Sequence, residues 1–560
     1  MSETIKTNFV ADKFLQSVFV FFLVLFSSAV AFSQSERPKL VVVITIDQMR
    51  GDYLDRFKDK FGEDGFKRML RDGFHYRNAH YSFMPTATGP GHSAIYSGAV
   101  PSVSGIIGNG WYSRELGKSI NVVNGMDQYQ TIGVPDSISG VGHAGPDNLL
   151  VTTIADELHM ASQFRSKVVS VAIKDRAAIM GGGHTADGAF WFDAGHGRFV
   201  TSSFYAESLP NWVERFNTSG IIDRFNSNVW ELSYPEEKYT VSREDDSQYE
   251  SKMRGKKSPT FPYDLNEMNA GYVSYYSLIV TPFGSDMVEA LAEKAITEEK
   301  LGQGDFVDYL AMGFSSTDYA GHQFGPYSIE IQDMYIKLDK TIAKMLKFLD
   351  KKVGEGNYTV ALSSDHGVGA APRYINSKNL PTGIYNTSAL KSRINQLIKS
   401  KFGLNDIVLS GGYSQIYLDL EKITDGELYH DIIATVKTFL EGEDMVQSVY
   451  TRDEVHSFSG DLPHHVRLLQ NGYHPQRSGD VFFIIKPSWL GQSGPITASH
   501  GSPYIYDTHV PIIMYGKGVP RGSSVRKVAV TDLAPTLSLM TGSAFPTGSR
   551  GVVLTEVFEE

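Results

Sequence analysis

Apolar and polar positions fall along this chain in two recurring arrangements. The first is a short uninterrupted run of apolar, β-branched residues, as in LVVVITI at 40–46. Such a run leaves no polar face, so it predicts a strand buried on both sides. Runs of the same kind are VVSVAI (168–173), FVDYLAMGF (306–314), YTVALSS (358–364), DVFFIIK (480–486) and VPIIMYG (510–516). The second arrangement repeats an apolar residue every three or four positions. Residues 151–163 place Ile154, Leu158 and Ala161 on one face. Residues 328–350 do the same with Ile331, Tyr335, Leu338, Ile342, Met345 and Leu349. That spacing predicts amphipathic helices. Alternation of the two predicts an α/β fold, with a mainly parallel central sheet and helices on both faces.

Two stretches break the rhythm. Residues 199–275 are rich in aromatic, serine and charged residues with little periodicity. Residues 368–475 mix short helices, at 387–402 and 426–440, with short strands such as QIYLDL. Both read as insertions that cap a site, within one catalytic domain over 34–560. The chain opens differently. Lys6 and Lys13 precede FLQSVFVFFLVLFSSAVAFS, which ends in small residues at Ala29, Ala31 and Ser33. A cationic flank, an apolar run and small residues predict a signal peptide over 1–33. The run, about 18 to 20 residues, would also suit an uncleaved anchor.

The chain has no cysteine, which excludes disulfides and thiolate metal sites. Export without disulfides fits a periplasmic or secreted bacterial protein. No stable membrane insertion is expected once the leader is removed. A formal net charge of -11 argues against nucleic acid as the main partner. Oligomeric state is left open.

The chemistry sits at the ends of the buried runs, where open α/β sheets bind their ligands. The run at 40–46 delivers Asp47. The run at 306–314 leads into SSTDYAGHQFGP, with Asp318 and His322. The run at 358–364 leads into Asp365 and His366, and ASHGSPYIYDTHVP supplies His500. Each piece alone suits a solvated helix face or a common loop. Together they make two sets of three oxygen and nitrogen donors, each with an open position, as catalytic zinc requires. Two such metals, roughly 4 Å apart, can clamp both oxygens of a phosphoryl transfer. In MPTATGPGH, Thr88 abuts the turn before a helix and becomes a candidate nucleophile. Thr86 reads as a cap or packing residue.

The motifs VVVITIDQMR, PTATGPGHS, GIIGNGWY, AIKDRAAI, STDYAGHQFGP, SSDHGVG and SHGSPYIYDTHVP stand in the order of a known family. The chain resembles the alkaline phosphatase superfamily, in particular PafA-type alkaline phosphatases and the related nucleotide pyrophosphatase/phosphodiesterases. The resemblance implies an alkaline phosphatase-like fold and two Zn2+. Asp318, His322 and His500 would hold one ion. Asp47, Asp365, His366 and Thr88 would hold the other. Asn109, Lys174 and Arg176 would contact the transferred phosphoryl group. Many relatives read T-A-P-G-H where this chain has Gly89, a change that removes no functional group.

The charges of Lys174 and Arg176 match a monoester dianion better than a diester. The expected activity is therefore hydrolysis of small phosphate monoesters through a phosphothreonine, for phosphate scavenging. The alternatives are a phosphodiesterase or nucleotide pyrophosphatase on the same scaffold, and a non-catalytic phosphate- or metal-binding protein. A sulfatase lacks its formylglycine precursor here, and the leader counts against a phosphoglycerate mutase. Among the other histidines, His92 is expected to pack near the nucleophile and His509 to orient a ligand. His184 is a possible pocket residue, and His464 and His465 belong to a polar loop without a third metal.

Overall fold

In a computed structural model, the described residues are 37–134, 143–271, 274–410, 412, 414–423, 425–492 and 497–558. The expected signal peptide at 1–33 lies outside them. Among the described residues no helix is long and apolar enough to cross a membrane.

The strands of the large sheet are β1 (Leu40–Ile46), β2 (Phe74–His80), β3 (Thr131–Ile132), β4 (Val168–Ala172), β5 (Gly188–Asp193), β6 (Arg198–Ser202), β7 (Asp308–Phe314) and β8 (Tyr358–Ser363). A second group, β9 (Val408–Ser410), β10 (Gln415–Leu418), β11 (Val446–Thr451) and β12 (Val481–Ile485), forms a smaller sheet. The large sheet is completed by β13 (His509–Gly516), β14 (Gly522–Ser524) and β15 (Val528–Ala529). Its order is β14-β2-β13-β8-β1-β7-β4-β5-β6-β3, with β15 paired to β2. The centre, β8-β1-β7-β4-β5, is parallel. β13 and β6 run antiparallel to their inner neighbours, so the sheet is mixed but mostly parallel.

β1 shows why the pattern works. Leu40, Val42, Ile44 and Ile46 enter one core, and Val41 and Val43 enter the other. Successive side chains of a strand point to opposite faces, so a strand apolar at every position must be covered twice. The first face is covered by α4 (Pro282–Glu298) and α6 (Ile329–Leu349). The second is covered by α1 (Thr88–Ser97), α2 (Ile154–Ala161), α3 (Asp175–Gly182) and α9 (Leu533–Thr541). α2 starts three residues after the expected bound, because Thr153 caps it with a reciprocal Thr153–Asp156 capping box.

Two expectations need correction. The run at 480–486 forms β12, but β12 pairs with β10 and β11 in the smaller sheet rather than in the large one. Its Phe482 and Phe483 pack in two separate small cores. The smaller sheet is backed by α7 (Thr387–Phe402) and α8 (Gly426–Glu441). Residues 198–202, at the start of the first irregular stretch, belong to the large sheet as β6. Beyond them the stretch packs on α6, where Trp230 Nε1 and the Tyr239 hydroxyl donate to Asp333 at 2.7 and 2.6 Å.

Candidate active site

Three adjacent parallel strands, β8, β1 and β7, end side by side, and the residues that follow them supply the site. Asp47 follows β1. Asp318 and His322 stand one turn apart on α5 (Ser316–Phe324), which follows β7. Asp365 and His366 follow β8. His500 comes from the loop before β13. The structure brings these together as two clusters, Asp318–His322–His500 and Asp47–Asp365–His366. Within each, one donor atom per residue lies within 4.8 Å of the others.

The three imidazoles share one arrangement. His322 Nδ1 lies 2.7 Å from the Ala498 carbonyl, His366 Nδ1 2.9 Å from that of Gly367, and His500 Nδ1 2.6 Å from that of Thr86. A carbonyl only accepts, so each Nδ1 carries a proton, and in the neutral imidazole each Nε2 is then a lone pair turned toward the cluster. Those lone pairs meet carboxylate oxygens: His322 and His500 approach Asp318 Oδ1 at 3.2 and 3.8 Å, and His366 approaches Asp47 Oδ1 at 3.5 Å. Lone pair against carboxylate is repulsive unless a cation lies between them. Asp47 Oδ1, Asp365 Oδ2 and His366 Nε2 are buried without a hydrogen bond. This donor set suits a divalent cation in each cluster, and its nitrogen and oxygen ligands suit zinc.

The charge distribution agrees. Asp47 is pushed well above the usual carboxylate range by burial and by the Asp318 and Asp365 carboxylates. Asp318 is held well below it. Burial opposes that, and His322 in its protonated form, together with the Lys174 ammonium, overcomes burial. Lys174 Nζ stands 2.6 Å from Asp47 Oδ2, 2.6 Å from Asp318 Oδ2 and 3.3 Å from Thr88 Oγ1. Burial disfavours its charge, but Asp318 and Asp47 outweigh burial and raise its pKa. One ammonium thus touches both clusters and the threonine.

Thr88 is the first residue of α1 and is buried. Its hydroxyl lies at the positive end of the helix. The helix can come this close because Gly91 has no side chain: a Cβ there would sit 2.1 Å from the Asp365 carbonyl oxygen. The Gly89 N–H donates to Asn109 Oδ1 at 2.6 Å. That commits the amide oxygen, so only the NH2 of Asn109 can donate to a phosphoryl oxygen. Arg176, on the first turn of α3, lies beside Asp175 at 3.5 Å and close enough to Lys174 to act on its charge.

Several residues inside the motifs hold the site in ways that their residue types alone did not reveal. The Gln48 side chain donates to Asp318 Oδ1 at 2.5 Å, and its backbone N–H donates to Asp365 Oδ1 at 3.0 Å. It ties the two clusters together, and only its place next to Asp47 hinted at this. Thr86 holds His500 through its carbonyl, beyond the packing role expected of it. His92 sits as expected: its Nδ1 is 2.9 Å from the Thr88 carbonyl and 3.3 Å from Asp365 Oδ2. His184 instead bonds Asp156 and the Leu149 carbonyl in a structural network. His509 stacks on His80 and bonds the Arg77 carbonyl, so it orients no ligand. The local partner of the His500 loop is Asp507, which accepts from the Ser502 N–H and hydroxyl.

A mostly parallel sheet whose strand ends gather two carboxylate–imidazole clusters beside a helix-start threonine is the alkaline phosphatase-like fold. Residues 41–503 match the family model described as Type I phosphodiesterase / nucleotide pyrophosphatase, and the chain belongs to that family. It is 40% identical to alkaline phosphatase PafA of Elizabethkingia meningoseptica, over 93% of this chain and 94% of that one. It is 38% identical to alkaline phosphatase PhoV of Synechococcus elongatus, over 93% of each. The crystal structure of wild-type PafA superimposes with a TM-score of 0.89 at 40% identity, covering 93% of this chain and 99% of the other.

Proposed function

We propose that this enzyme is an exported alkaline phosphatase that hydrolyses phosphate monoesters through a phosphothreonine at Thr88, with two zinc ions held by the clusters described above. One observation carries the reading. Three histidine Nε2 atoms and three carboxylates converge as two metal-binding sets beside the threonine at the start of α1. Similarity to PafA and PhoV supports the reaction class, and the apolar leader pattern at 1–33 supports export.

Bound there, divalent cations would lower the pKa of the Thr88 hydroxyl and offset charge on the leaving oxygen. The chain's own residues do the rest. The Thr88 oxygen, placed by the start of α1, attacks phosphorus, and the bond to the ester oxygen breaks. The alcohol leaves and takes its proton from solvent. Water then attacks the phosphothreonine, releases phosphate and returns the threonine oxygen. Lys174, Arg176 and the Asn109 NH2 compensate the phosphoryl oxygens through both steps. They provide two positive charges for a dianionic group, which favours monoesters over diesters.

The test is Thr88→Ala. Turnover of an aryl phosphate is expected to fall at least about 10³-fold, in line with loss of a nucleophile, while zinc content stays near that of the wild type. Turnover near normal would remove Thr88 from the reaction. The family's own description keeps a diesterase as the competing reading. Matched kinetics on an aryl phosphate and a bis-aryl phosphate separate the two.

A further inference from the structure

A cavity of about 270 Å³ lies between the smaller sheet and the His500 loop. Tyr385, Phe483 and Trp489 line it from the cap side, and Tyr506 from the body. His500, Gly501 and Ser502 form the wall it shares with the site. Thr88, Asn109, Lys174 and Arg176 are not part of its lining. The cavity therefore meets the site from one side only, that of the Asp318–His322–His500 cluster.

In-line displacement fixes what arrives on that side. The attacking and leaving oxygens stand opposite each other across phosphorus. α1 carries Thr88 and packs on Asp365, through Gly91 and through the His92 contact at 3.3 Å. The attack comes from that cluster's side, and the leaving oxygen points toward the cluster of His500. A group carried on the ester oxygen therefore leaves toward the His500 loop, whose His500, Gly501 and Ser502 also line the cavity.

The walls select a chemical type. Four aromatic side chains line it, and a planar group gains most by packing against aromatic rings. Polar side chains line it as well, among them Lys391, Ser488, Ser502 and Asp507. The Lys391 ammonium is tied to the Leu409 carbonyl at 2.8 Å, and Asp507 has an Oδ1 without a hydrogen bond.

We propose that this cavity is a leaving-group subsite, which gives the enzyme a preference for monoesters of aromatic alcohols and nucleosides over those of small alkyl alcohols. The proposal rests on the phosphomonoesterase reading above. Trp489 is the determining residue, because its half-buried ring joins the cap's core to the cavity wall.

The experiment compares kcat/KM for phenyl phosphate, adenosine 5′-monophosphate and methyl phosphate in the zinc-loaded wild type, Trp489→Leu and Trp489→Phe. Leucine keeps the apolar packing on the cap core but removes the ring. The ratio of either aromatic substrate to methyl phosphate is expected to fall about tenfold in Trp489→Leu, the worth of one stacked ring. Trp489→Phe should restore most of it. Calorimetry in the Thr88→Ala background gives a second readout. Trp489→Leu should weaken adenosine 5′-monophosphate about tenfold relative to inorganic phosphate. An unchanged ratio in both measurements, or equal losses on aromatic and methyl substrates, overturns the proposal. Failure of the wild type to hydrolyse any of the three monoesters would instead overturn the underlying reading.

Discussion

At the scale of single residues, the site depends on groups that hold other groups. Gln48 bonds a carboxylate in each cluster, and its amide oxygen passes where a side chain on Gly321 would collide, at 1.7 Å from a Cβ there. Gln48→Ala removes the bond to Asp318 and lets that carboxylate turn. Loss of a partner that orients a metal ligand costs about 10- to 100-fold in affinity. Zinc titration of Gln48→Ala should show that loss, more in the Asp318 cluster than in the other. Equal affinity in variant and wild type would mean the bond is incidental. Lys174 and Arg176 differ in kind, since they add charge where substrate charge is expected. Lys174→Ala and Arg176→Ala should each lower kcat/KM for an aryl phosphate at least about tenfold more than for a bis-aryl phosphate, the worth of one charge-assisted contact. Parallel losses would show that the two cations do not distinguish monoester from diester. Asp47, Asp318, His322, Asp365 and His366 could be read from sequence because each follows an apolar run, and His500 because it shortly precedes one. Gln48 could not: a glutamine after a strand has many uses, and only the fold shows which carboxylates it reaches.

At the scale of elements, strands and helices declared themselves where burial is unambiguous. β1 and β7 are apolar but for Thr45 and Asp308, because both their faces are covered. The same logic misplaced β12. VFFII is also buried on both faces, but within a second sheet, and the pattern records burial without naming the partner. The direction of β13 was hidden for a similar reason, since antiparallel pairing at a covered position leaves the same apolar signature. The packing of α1 on Asp365 was also invisible, and it is testable. Gly91→Ala puts a methyl carbon against main chain that cannot yield, at an expected cost of about 1–3 kcal/mol. Urea unfolding should report it, with activity falling in parallel. Between α4 and α6, Glu289 is fully buried and pairs with the half-exposed Lys344 at 2.6 Å. Burial pushes Glu289 up to about 8. The folded chain then holds a proton that the unfolded chain has already lost above about pH 4.5. Its contribution to stability is complete below that pH and fades as pH rises toward 8. Glu289→Gln stays neutral throughout. Its Tm relative to wild type should therefore rise between pH 6 and pH 9, and a constant difference would show that Glu289 ionises normally.

At the scale of the whole molecule, the clusters join distant parts of the chain. Their ligands run from Asp47 to His500, drawn from the ends of β1, β7 and β8 and from the loop before β13. In the unfolded chain these groups are far apart, so cations held by the clusters would bind the folded form selectively and stabilise it by mass action. The uncompensated arrangement is costly: carboxylates crowd one another, Asp47 is pushed up by its neighbours, and one Lys174 ammonium serves two of them. Cations bound there would remove that repulsion and be ligated by His322, His366 and His500 together. Chelation should therefore lower Tm as well as abolish turnover. Free cation at 100 times its dissociation constant corresponds to about 2.7 kcal/mol per site. Dialysis against a chelator should give a lower-melting, folded and inactive protein, and added zinc should restore melting temperature and activity in step. His500→Ala, which removes one ligand from one cluster, should lose roughly half of the zinc-dependent stabilisation and keep the rest. If chelation leaves Tm unchanged, the clusters bind cations too weakly to organise the fold, and the convergence of Nε2 atoms on carboxylates would need another explanation.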